Sequence, residues 1–199
     1  MDLNRRLFQL VGAMALLLPA SGMADALLAS ASSGAWQARI VTTVSASKLQ
    51  LWQSVAAGSA PARLILENSV FLPPGLGNVS GGIRLLDLRI AGDRLEISIQ
   101  DRPPASLAYM QRDFSFDLSK PRFPLSYFRT VTYREETAGW LEVDFEKARA
   151  KQCNEVPSVN LTQCEPRAVK LQDQFLAPFL TDIGDAFSYS APLLLRLVY

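Results

Sequence analysis

From Trp36 onward the chain alternates apolar and polar positions. Trp36, Ala38, Ile40, Thr42 and Val44 share one parity, and Gln37, Arg39, Thr43 and Ser45 share the other. A period of two predicts a strand with one buried face, because successive side chains point to opposite sides of a sheet. Leu49 to Val55 fits two periods. Leu49, Trp52 and Val55 have helical spacing, while Leu49 and Leu51 could lie on one strand face. Ala62 to Phe71 leans to strand, with Leu64 and Leu66 opposite Arg63 and Glu67.

The sharpest pattern runs from Leu85 to Gln100. Leu86, Leu88 and Ile90 alternate on one side of Gly92-Asp93, and Leu95, Ile97 and Ile99 on the other. A two-residue loop at Gly92-Asp93 pairs Ala91 with Arg94, Ile90 with Leu95, Leu88 with Ile97 and Leu86 with Ile99. It also sets Arg89 opposite Glu96. Glycine at the first loop position suits a type II′ turn. A second hairpin is expected from Tyr127 to Lys147. A three-residue loop, Thr137-Ala138-Gly139, would pair Glu136 with Trp140, Tyr133 with Val143 and Val131 with Phe145, and set Arg134 opposite Glu142. Phe114, Phe116 and Leu118 alternate just upstream and suggest a further strand.

Past residue 168 the period changes. Leu171, Phe175, Leu176, Phe179, Leu180 and Ile183 have helical spacing, interrupted by Pro178. One or two short helices are expected between Val169 and Phe187. Pro192 to Tyr199 is apolar on both faces and reads as a buried strand. The fold class is therefore mainly β: an antiparallel sheet, as a sandwich or a half-barrel, with short C-terminal helices.

The N-terminus reads as an address. Arg5 and Arg6 precede an apolar run, Leu10 to Leu18, which is too short for a spanning helix of about 20 residues. Small residues follow, with cleavage expected after Ala26, or after Ala24. Asn4-Arg5-Arg6-Leu7-Phe8-Gln9-Leu10 resembles the twin-arginine export motif, with an ordinary Sec signal as the alternative. The organisation expected is a signal peptide over 1–26, a flexible leader over 27–34 and one β-rich domain over 35–199. Localisation is then periplasmic or secreted, with no stable membrane anchor after cleavage.

Cysteine usage agrees. Cys153 and Cys164 are the only two, and they flank a polar, proline-bearing stretch. In an oxidising compartment they are expected to form a structural disulfide.

Composition removes many chemistries. Apolar types make up 49% and charged types 20%, as in a folded domain. The 20 basic and 19 acidic residues nearly cancel, which gives no reason to expect nucleic acid as a partner. Histidine is absent, which excludes histidine-based nucleophile systems and histidine-ligated metals. No phosphate loop, dinucleotide fingerprint or nucleophile elbow occurs, and no cofactor is expected. Glu142 and Asp144, on one strand face with Trp140, are the carboxylate candidates for glycan-type hydrolysis. An alternating charged face is also what a solvated hairpin looks like. The loop from Pro73 to Gly82, tipped by Leu76, is a candidate partner contact. The function expected is a non-enzymatic binding or accessory protein of the bacterial envelope, whose partner is another envelope protein or an apolar ligand. The alternatives are a small carboxylate-dependent hydrolase and a carrier of a lipid or other apolar molecule. The eighteen aromatic residues could line such a carrier's cavity.

Overall fold

A computed structural model describes residues 25–43, 45–54, 61–74, 76–77, 82–103, 106–134, 137–147, 149–156, 161–167 and 178–187. These form two antiparallel sheets. The smaller runs in the order β1 (Ala26–Ser33), β2 (Trp36–Thr42), β3 (Ser47–Gln53) and β4 (Arg63–Asn68). The larger holds β5 (Ile83–Ala91), β6 (Arg94–Asp101), β7 (Tyr109–Asp117), β8 (Leu125–Arg134), β9 (Thr137–Asp144), β10 (Arg149–Val156) and β11 (Leu161–Arg167), each beside the next. Strand β1 lies alongside β5, which brings the sheets together.

One core joins the two sheets. Ala38 and Ile40 of β2 and Leu49 and Leu51 of β3 face it, which resolves the 49–55 segment as strand. Leu95, Ile97 and Ile99 of β6 and Phe114 and Phe116 of β7 line the other side. Phe71, from the β4–β5 connection, stands edge-on to Phe114 at 5.0 Å and to Phe116 at 5.7 Å. Each such pair contributes roughly 0.5–1.5 kcal/mol beyond the area it buries. Asn68 sets this connection in place. Its Oδ1 accepts from the backbone N–H of Val70 and Phe71, and its Nδ2 donates to the Leu180 carbonyl at 2.8 Å.

The Gly92-Asp93 hairpin has the expected register from Ala91↔Arg94 to Asp87↔Ser98. Gly92 has φ +59 while Asp93 does not enter positive φ, as a type II′ turn requires. Beyond Asp87 a bulge pairs Leu85 with Ile99, where Leu86 was expected. The extra residue reverses the parity, and Leu86 becomes 46% exposed.

The second hairpin differs. Arg134 pairs with Thr137, where Glu142 was expected, and residues 135–136 lie outside the described residues. Val131 pairs with Trp140, Phe128 with Val143 and Arg129 with Glu142. The slip is odd in number, so the buried face of β8 changes. Phe128 and Thr130 are buried, and Tyr127, Val131 and Tyr133 point the other way. Burying Phe128 against Phe114, its partner across β7, decides this register.

Three further expectations are corrected. Residues 27–34 are not a leader outside the fold, since 26–33 form β1, laddered on β2. Ala29, Ala31 and Ser33 are its half-buried positions and alternate with exposed ones. Leu76 is 3% exposed and belongs to the core, so it is not a partner-facing tip. No helix occurs among the described residues of the C-terminal stretch. Residues 178–187 hold turns and one bridge, Pro124↔Phe179, with Asp182 and Ile183 N–H both turning back to the Phe179 carbonyl. Leu180 and Ala186 N–H instead reach outside the segment, to Phe123 and Phe71. The rest of the helical expectation, and the strand expected over 192–199, lie outside the described residues.

Candidate functional site

Two regions concentrate polar side chains. The first is the outer face of the large sheet, where an open groove of about 690 Å³ runs across β5 to β9. Asp144 lies here. Lys147 reaches it with Nζ at 2.7 Å and with its backbone N–H at 3.0 Å. Burial pushes the Asp144 carboxyl up, but the Lys147 hydrogen bonds outweigh it and hold it below its usual 3.8. Glu142, on the same face, pairs with Arg129 Nε at 3.6 Å. Glu146 accepts from Arg94 Nη2 at 2.8 Å, and Arg94 Nη1 donates to Ser126 Oγ at 2.8 Å. Asp113 accepts from Ser98 Oγ at 2.6 Å and Gln111 Nε2 at 2.9 Å. Tyr127 rises to about 12 through burial, with Glu142 adding to it.

A general acid at neutral pH needs a raised carboxyl pKa. The Asp144 carboxyl is lowered, so it is ionised at neutral pH and is not poised as a general acid. Glu142 and Asp144 share the face expected of them, each with its own cation. Among the described residues no three metal-ligating side chains converge.

The second region is internal. Arg112 is 4% exposed and Thr130 is 3% exposed. Arg112 of β7 sits directly opposite Thr130 of β8, in a cross-strand row with Ile99 and Leu141. An arginine is seldom buried to this degree. Burial pulls Arg112 down to about 10, against the opposing pull of Asp185 and Asp101. Phe187 lies over its guanidinium at 4.5 Å. Thr130 Oγ1 is buried with no hydrogen-bond partner. Such an orphan costs about 1–3 kcal/mol, so its retention calls for an explanation.

The segment 178–187 roofs this region. At one end it bonds to the β7–β8 turn: Leu125 N–H to Pro178 at 2.8 Å, and Leu180 N–H to Phe123 at 2.9 Å. Arg122 pairs with Asp182 and lies over the Phe179 ring at 4.1 Å. At the other end Ala186 N–H reaches the Phe71 carbonyl at 2.9 Å.

Cys153 and Cys164 form the expected disulfide, directly opposite each other on β10 and β11 with Cα atoms 4.1 Å apart. Cys153 is fully buried. The bond fits an oxidising compartment. Of the residues singled out from the sequence, the two cysteines pair as expected. Arg112 and Thr130 escaped notice, although extending the Phe114, Phe116 alternation two residues upstream places Arg112 on the same buried face. No family model, curated protein or solved structure matches the chain.

Proposed function

We propose that this chain is an exported, non-enzymatic binding protein that takes a small amphipathic molecule between its two sheets. One observation carries the reading: a buried arginine beside an orphaned threonine hydroxyl, set in an aromatic interior. Phe114 and Phe128 pair two residues along from Arg112 and Thr130 on the same strands, and Phe71 packs on Phe114. A binding site of this kind combines an apolar lining with few, well-placed polar groups. The disulfide and the N-terminal 1–26 signal pattern support export to the periplasm or beyond. The lowered Asp144 carboxyl, paired with Lys147, argues against its serving as the acid of the hydrolase alternative.

The test is recovery of the protein from its own envelope fraction, organic extraction, and mass spectrometry of what is released. A stoichiometric amphiphile supports the reading. Extracts with none, together with no binding of long-chain probes to the purified protein, would count against it.

A second reading has its own observation. Strand β4 ends the small sheet, and its Leu64 and Ile65 are each 39% exposed. An exposed apolar edge suits strand addition by a partner protein of the envelope. A photo-crosslinking residue at position 65 tests it. A single discrete adduct in the envelope favours this reading, and none speaks against it.

A further inference from the structure

We propose that the open groove on the outer face of the large sheet binds an oligosaccharide of uncharged sugar rings. The site is separate from the interior one and does not depend on it.

Strand alternation places the groove's polar groups. Phe128 and Thr130 of β8 point into the core, so Tyr127 and Arg129 point out. Cross-strand pairing then sets Ser98, Asp113, Arg129 and Glu142 in one row over β6 to β9. Elsewhere in the groove the charges are spent on one another. Arg94 donates to Glu146 at 2.8 Å, Lys147 donates to Asp144 at 2.7 Å, and Arg89 pairs with Glu96. Arg129 differs. Its carboxylate neighbours, Asp113 and Glu142, stand at 4.0 and 3.6 Å, beyond hydrogen-bond distance. Its Nε is buried with no hydrogen-bond partner. Asp113 is held from its far side. Ser98 Oγ and Gln111 Nε2 both donate to its Oδ1, which leaves Oδ2 turned to Arg129.

The row therefore holds a donor between two acceptors, with no hydrogen bond joining them. A hydroxyl both donates and accepts, so one placed between Arg129 and either carboxylate satisfies both and breaks nothing. Bonds to charged partners are about twice as strong as neutral ones. An ionic ligand fares worse. The groove's charges balance in pairs, so an anion meets the carboxylates and a cation meets the guanidinium groups. An aliphatic chain would strip the same groups of water and return no hydrogen bond. Sugar rings carry many hydroxyls without charge, and their C–H side packs on an aromatic face. Tyr127, half-buried two residues along from Arg129, supplies that ring. The groove holds about 690 Å³ and crosses five strands. At roughly 4.8 Å between strands this is about 19 Å, the span of a short chain of rings rather than one.

The experiment follows the backbone amide NMR shifts of the full protein as sugars are added. The uncharged probes are cellohexaose, maltohexaose and chitohexaose. A chitosan hexamer is the cationic probe and a galacturonate hexamer the anionic one, with glucose and N-acetylglucosamine as single rings. At least one uncharged hexamer should shift the amides of Ser98, Asp113 and Arg129 and leave Ile40 and Leu51 of the small sheet unmoved. It should bind at least about tenfold more tightly than its own single ring and than either charged hexamer. Arg129→Met should weaken it about tenfold, the equivalent of one charged hydrogen bond, and Arg129→Lys should keep part of the affinity. Arg129 lies outside the core, so both variants should keep a melting temperature near that of the wild type. The wild-type shift map needs no variant to fold. If no uncharged hexamer moves these amides, or the shifts fall on another face, the groove is not a glycan site. If a charged hexamer binds as tightly, the assignment to uncharged sugars fails. If Arg129→Met binds as the wild type does, the row around Arg129 is not the contact. None of these outcomes bears on the interior site, which extraction of the envelope protein tests by itself.

Discussion

Replacing Ile97 by alanine, beside Ser98 by alanine, tests the register on which the large sheet is built. Ile97 is 1% exposed, between Leu88 of β5 and Phe114 of β7. Truncation removes three carbons, about 2.4 kcal/mol of transfer at roughly 0.8 kcal/mol per carbon, and leaves a cavity. The sum is about 3–4 kcal/mol. For a domain of this size each kcal/mol lowers Tm by about 2–4 °C, so a fall of about 6–16 °C is expected. Ser98 faces the other way and donates to Asp113 at 2.6 Å. Its site is half-exposed, so water replaces the lost hydroxyl. The expected cost is about 1 kcal/mol, or about 2–4 °C. Ile97→Asp should prevent folding, since it puts an unpaired charge in the core. Ser98→Asp should fold but lose more than the alanine, with a third carboxylate set beside Asp113 and opposite Asp87. Thermal melts by circular dichroism decide it. A Ser98→Ala variant as damaging as Ile97→Ala would refute the face assignment, because a one-residue slip exchanges the two faces.

Reduction of Cys153–Cys164 should lower Tm by about 6–12 °C without abolishing the fold, since closing an eleven-residue separation is worth roughly 3 kcal/mol. Thiol alkylation of the native protein should find no free cysteine. Gly82→Ala should cost more than Gly92→Ala in denaturant melts. Both glycines have positive φ, but a Cβ at Gly82 would lie 2.6 Å from the Arg102 carbonyl oxygen, while at Gly92 it meets nothing. Asp117 and Asp144 both have lowered carboxyl pKa values in the fold, where hydrogen bonds outweigh burial. Groups with folded values below their unfolded ones stabilise the fold above the unfolded pKa, near 3.8. That contribution disappears as pH falls through the folded values. Urea midpoints should therefore hold from pH 7 to 5 and drop below about pH 4. A midpoint that rises on acidification would contradict both carboxyl assignments.

What the sequence determined by itself is local. Alternation over Trp36–Thr42 and over Arg94–Asp101 marks strands, because a period of two has one meaning at that length. Gly92-Asp93 sets its hairpin's register, because the turn type fixes which residues face each other. Two cysteines flanking a polar stretch in a chain with an export pattern specify their own pairing. The tertiary structure decided whatever depended on distant neighbours. The register of β8 on β9 follows Phe128, which packs on Phe114 of β7, so no reading of the hairpin alone could find it. A bulge at Leu86 reverses a parity that the residues themselves do not reveal. Residues 26–33 pair as a strand because β2 offers an edge, despite a composition of small and polar types. Residues 178–187 have helical spacing yet bond to Phe123 and Phe71, because burial against two sheets outweighs the local preference of a short segment broken by proline. The candidate site belongs to this second group. Arg112 and Thr130 are ordinary polar letters in two separate strands. They become unusual when the sheets close over them, because burial strips the Arg112 charge of water and leaves the Thr130 hydroxyl without a hydrogen-bond partner.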